Sequence, residues 1–148
     1  MKILSFLFIS TIGSILVAAG ILKKPETTPI QKMSIFIYKK WKMTDETTVI
    51  KGNTTNTFKD YPACVSDDIF TFLPDGNLIQ DDNREHCATN KKNITNGIWA
   101  FNIQDKNKLE IALSMQFTAE IITLTDTNLV WQYQNQVGDI VTQTYTKQ

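Results

Sequence analysis

The chain has 148 residues, and 15 Lys and Arg balance 15 Asp and Glu. That length suits one domain plus a targeting segment. The zero net charge and the scattered basic pairs Lys23-Lys24, Lys39-Lys40 and Lys91-Lys92 argue against a nucleic-acid partner, which needs a clustered Lys/Arg surface.

After Met1-Lys2, residues 3–22 form a nearly unbroken apolar run ending near Val17-Ala18-Ala19-Gly20. We assign residues 1–22 as a signal peptide or a membrane anchor. The short positive start, apolar centre and small residues fit a secretory leader cut after Ala19. A run of ~20 residues also fits an uncleaved span, and Lys23-Lys24 flank its far end. Either way the rest of the chain is expected to be exported: periplasmic, in the cell envelope or extracellular. No cysteine lies near residue 20, so a lipid cannot be attached there. Residues 23–32 carry Pro25 and Pro29 and read as a linker. Residues 33–148 form the folded domain.

Residues 33–38 suit a short helix that caps the fold and leads into a first strand around Trp41, although periodicity alone does not separate helix from strand there. Residues 44–61 are rich in Thr, Asn and Lys. They read as a long polar loop with at most a weak strand through Thr48-Val49-Ile50. Residues 68–73 are a strand, and Pro74-Asp75-Gly76-Asn77 is a strong turn signal. The return strand starts at residues 78–80, and residues 81–96 make a second polar loop. Further strands cover residues 97–103, 108–114, 116–124, 129–134 and 140–146. About eight short strands with period two and tight turns predict an antiparallel up-and-down meander closing into a barrel or a small sandwich.

Alternation selects the inward side chains Phe70, Phe72, Trp99, Phe101, Leu109, Ile111, Ile122, Leu124, Leu129, Trp131 and Tyr133. These line a candidate ligand cavity or fill a solid core, because an eight-stranded barrel has room for either. Cys64 and Cys87 are the only cysteines and are expected to form a disulfide in an exported chain. The other reading is a reactive thiol helped by His86.

The pattern Cys64-x-x-Asp67-Asp68-x-x-x-Phe72-x-x-Asp75-Gly76, then Cys87, Gly97-x-Trp99 and Leu124-Thr125-Asp126-Thr127-x-Leu129 resembles the small lipocalin-like domains exported by Bacteroidetes-type bacteria. Trp41 sits where that family has a tryptophan near the start of its first strand. The resemblance covers most of the chain from Trp41 onward, and the Cys64-to-Gly76 block is its most specific part. It implies a lipocalin-like β-barrel whose interior takes a small apolar ligand, and it implies no enzyme. Many such proteins carry a lipid-modified cysteine after the leader, which this chain lacks.

Catalytic and cofactor motifs are missing: there is no Gly-x-Ser-x-Gly, no His-Glu-x-x-His and no phosphate loop. Asp75 serves its turn, and Asp67 and Asp68 suit capping of backbone N–H groups. Asp81, Asp82, Glu85 and His86 make a poor zinc set with a single histidine. No metal and no cofactor are expected. The sequence thus predicts an exported, non-enzymatic lipocalin-like protein that binds or carries a small hydrophobic ligand. It meets a membrane only through residues 1–22 if these are retained. The alternative is a non-catalytic interaction or inhibitor module of the cell envelope, using its polar loops on a filled, disulfide-stapled barrel.

Overall fold

The computed structural model describes residues 29–87 and 93–148. The segment 1–22, most of the linker and Lys91-Lys92 lie outside the described residues. Helix α1 (Pro29–Phe36), which begins inside the segment read as linker, is followed by strands β1 (Lys40–Ile50) and β2 (Asn53–Asn56). A 3-10 turn (Phe58–Asp60) and the four-residue helix α2 (Ala63–Ser66) then lead to the remaining strands. These are β3 (Ile69–Phe72), β4 (Asn77–Asp81), β5 (Ile94–Phe101), β6 (Lys108–Ala112), β7 (Gln116–Leu124), β8 (Asn128–Gln134) and β9 (Ile140–Lys147). No helix among the described residues is long and apolar enough to cross a membrane.

From β3 onward each strand pairs antiparallel with the next, and β3 pairs with β1. β9 closes on β1 from Trp41↔Lys147 to Val49↔Ile140. The expected meander is therefore a closed eight-stranded barrel, with β2 as an added ninth strand on β1. Closure removes the long unpaired edges that open sheets must protect.

The polar loop expected at residues 44–61 is instead mostly β1, a two-residue turn and β2. The strand escapes a search for apolar alternation because two of its inward groups are polar: Glu46 and Thr48 are both buried. A bulge between Met43 and Asp45 causes this arrangement. It inserts one residue, so Trp41 and Met43 face inward below it and Glu46 and Thr48 face inward above it.

A second bulge, between Ile121 and Thr123, corrects another expectation. Ile122 is not inside the barrel but 54% exposed, and Ile121 packs on the core in its place. Leu124 remains inward because three residues, rather than two, separate it from Ile121.

One end of the barrel, here called the lower end, is packed solid. Phe36 at the end of α1 is fully buried, with its ring 4.1 Å from Phe72 and 5.2 Å from Trp99. The indole of Trp41 donates to the Phe36 carbonyl at 3.1 Å. That of Trp99 donates to the Leu73 carbonyl at 2.9 Å. Both polar handles are satisfied inside an aromatic core. The expected turn after β3 forms as read: Gly76 has φ +88°, and Asp75 accepts the Asn77 N–H at 3.0 Å.

Candidate functional site

The upper end of the barrel encloses a partly open cavity of ≈ 230 Å³. Its position follows from the way β1 is flanked. On one side β1 pairs with β3 only from Lys40 to Lys42, and with β2 only from Thr47 to Ile50. The gap between these ladders is covered by the segment joining β2 to β3, which brings Tyr61, Val65 and Asp68 to the cavity. Opposite them, the β6–β7 connection supplies Leu113, Ser114 and Met115.

The expected inward residues divide between the two ends. Phe70, Ile111, Trp131 and Tyr133 line the cavity. Phe72, Trp99, Leu109 and Leu129 are buried in the core, Phe101 packs against it, and none of these five lines the cavity. Aromatic contacts join the halves: Trp131 stands 6.2 Å from Phe72 below and 4.7 Å from Tyr145 in the wall. Phe117 and Tyr133 lie 4.4 Å apart near the mouth.

Several wall residues escaped the sequence reading. Tyr145, Phe117 and Met43 belong to strands whose inward phase could have been extended to find them. Gln80 and Gln143 could not be found that way, because a polar residue on an inward phase looks like a break in the pattern. They carry the polar chemistry of the site. Gln143 accepts from the Trp131 indole at 2.7 Å and the Tyr145 hydroxyl at 2.9 Å, and its amide N–H donates to Glu46 at 2.6 Å. Glu46 also accepts from the Thr57 hydroxyl at 2.7 Å and from the Tyr61 hydroxyl, at 3.0 Å to each carboxylate oxygen. The carboxylate is thus held by neutral donors alone. A buried charge is tolerated when its lone pairs are filled in this way.

Glu46 also restrains the tyrosines. Burial, reinforced by the Glu46 carboxylate, pushes the Tyr133 hydroxyl up to about 12. Burial, then repulsion from the Tyr133 hydroxyl when that ionises and from the Glu46 carboxylate, pushes Tyr145 well above the ordinary phenol range. Tyr61 is raised as well, by burial and then by Glu46. All three hydroxyls stay neutral at physiological pH, and those of Tyr61 and Tyr145 donate to Glu46 and Gln143.

Asp68 lies just before β3, the strand that pairs with β1. It is only 6% exposed, and its Oδ2 accepts from the Gln80 amide at 2.6 Å, while its Oδ1 has no donor. Burial lifts its carboxyl above the usual carboxylate range, and the bond from Gln80 draws it back. The charges of Asp67, Asp82 and Asp81 raise it further. Asp67 caps backbone as expected, although on the β4–β5 connection: it accepts from the N–H groups of Arg84 at 3.0 Å and Glu85 at 3.2 Å.

Cys64 and Cys87 form the disulfide, with Cα atoms 5.1 Å apart. Neither is therefore a free thiol, and the Cys-His reading closes. The bridge joins α2 to the connection leaving β4, so it ties the cover bearing Val65 and Asp68 to the neighbouring β4–β5 connection. His86 lies beside Asp82 instead, Nδ1 to Oδ2 at 3.0 Å, a close contact without the alignment of a hydrogen bond. No group of three or more His, Cys, Asp or Glu suited to a metal occurs among the described residues.

No family model, curated protein or solved structure matches this chain. The cavity's own chemistry is therefore the basis for a functional reading. It offers aromatic and aliphatic walls, a few fixed polar groups and an opening, the usual composition of a small-molecule binding site.

Proposed function

We propose that this is an exported, lipocalin-like, non-enzymatic protein that holds a small apolar molecule in the upper half of its barrel. The observation that carries the reading is the division of the interior. Phe36, Phe72 and Trp99 fill the lower end, whereas the upper end retains ≈ 230 Å³ between Phe70, Phe117, Trp131 and Tyr145. A barrel serving only as a scaffold for loops has no need of that space. The volume limits the ligand: a cavity of ~150 Å³ accepts benzene, and drug-sized sites start near ~300 Å³. One ring with a short substituent, a fused pair of rings, or a short branched chain is the right size.

The disulfide supports the exported location, since such bridges persist in oxidising compartments. The aromatic interior and the resemblance in the Cys64-to-Gly76 block support the lipocalin-like reading. Native mass spectrometry of the purified protein, with solvent extraction of its contents, tests ligand carriage. Calorimetric titration with naphthalene tests uptake. Retention of an extractable apolar molecule, or saturable uptake of naphthalene, is expected. A protein that arrives empty and takes up no apolar probe refutes the reading.

A further inference from the structure

We infer, building on the carrier reading above, that the cavity selects a small amine whose ring lies among the aromatic walls and whose ammonium group meets Asp68. Asp68 lines the cavity and is more than nine-tenths buried, yet its Oδ1 has no donor while Gln80 occupies Oδ2. A buried carboxylate oxygen without a partner costs free energy that a bound donor recovers.

The surroundings decide the sign of that donor. Among the described residues no lysine or arginine lines the cavity. Asp67, Asp81 and Asp82 all act on Asp68 as like charges. Asp67 and Asp82 each keep one buried oxygen without a donor, but neither lines the cavity; of the group only Asp68 does. From another strand of the cavity wall, β9, Gln143 leads to a further carboxylate, Glu46. A ligand carboxylate entering here is repelled. A neutral hydroxyl satisfies Asp68 but leaves its charge unbalanced. An ammonium does both, through a charge-assisted hydrogen bond in a low-dielectric site. Phe70, Trp131 and Tyr145 add rings whose quadrupoles attract a cation.

Calorimetric titration of the folded, disulfide-bonded protein with three probes sharing one ring tests the selection. The probes are phenethylamine, 2-phenylethanol and 3-phenylpropionate. Phenethylamine is expected to bind about tenfold or more tightly than 2-phenylethanol, the scale of one charge-assisted hydrogen bond. 3-Phenylpropionate is expected to bind weakest. In Asp68→Asn the advantage of the amine over the alcohol disappears. Equal affinity of the wild-type protein for amine and alcohol overturns the charge selection and leaves the carrier reading standing. Failure of all three probes overturns this inference, and failure of naphthalene as well, in a protein that arrives empty, brings down the carrier reading with it.

Discussion

Two buried carboxylates play opposite parts at the scale of single residues. Glu46 is saturated by donors from Thr57, Tyr61 and Gln143. Removing it strands those donors in a buried site, and hydrogen bonds to charged groups are each worth ~1.5–3 kcal/mol. Glu46→Ala is therefore expected to lower unfolding stability by about 3 kcal/mol in urea titration, and an unchanged midpoint would show the network to be idle. Asp68 is incompletely satisfied, and its raised carboxyl means that its folded form holds a proton more tightly than its unfolded form. That contribution favours folding fully below the unfolded carboxyl range and is lost as pH rises through the folded value. At neutral pH, where the unfolded carboxyl is ionised, burying Asp68 works against the fold. Asp68→Asn should raise the urea midpoint at pH 7, with the gain vanishing below pH ~4. A loss of stability at pH 7 would contradict this. Residues kept at a cost to folding are characteristic of binding sites.

Elements are where simple alternation succeeds and where it fails. In β6, Leu109 and Ile111 are buried and Glu110 is exposed, as period two requires. In β1 and β7 a single inserted residue reverses the phase, which hides Glu46 from a sequence reading and sends Ile122 to the surface. Bulges have no dependable signature in one sequence, because they are set by how two strands must curve against each other. Gly97 shows a tertiary demand of another kind. A Cβ built there would lie 2.4 Å from the Ala112 carbonyl oxygen and 2.6 Å from Leu113 Cδ2. The neighbouring strand's backbone would have to move, and with it the cavity wall at Leu113. Gly97→Ala is expected to cost about 1–3 kcal/mol, the range for overpacking, and to weaken probe uptake in the same titrations. A neutral effect on the thermal midpoint would show that β6 yields freely.

For the whole molecule, closure of β9 on β1 and the Cys64–Cys87 bridge work together. The ladder along β1 is complete towards β9 but interrupted on its other side. The bridge fastens the segment that covers the interruption. It closes a loop with a sequence separation of 23 residues, and the chain-entropy model assigns such a loop about 3 kcal/mol. The double replacement Cys64→Ser, Cys87→Ser should lower stability by that order. Because the bridge holds Val65 and Asp68 at the mouth, the variant should also lose selectivity between amine and alcohol under conditions where it stays folded. Full selectivity in the folded variant would show that β3 alone positions Asp68. Free-thiol labelling of the native protein without reductant should find none.

The sequence by itself determined the class of fold, the order of strands from β3 to β9, the paired cysteines and most of the inward aromatic residues. Each follows from local chemistry: period-two alternation, turn residues such as Pro74-Asp75-Gly76, and the presence of only two sulfhydryls. Tertiary structure decided which inward residues fill space and which surround it, because that depends on α1 driving Phe36 into one end and leaving the other open. It also decided the polar chemistry of the cavity. Glu46, Gln80, Gln143 and Asp68 lie far apart in the chain, and nothing local marks them as partners. Only the curvature of the closed barrel, with its bulge in β1, brings them to one interior, where burial gives their charges and hydrogen bonds consequences they do not have in water.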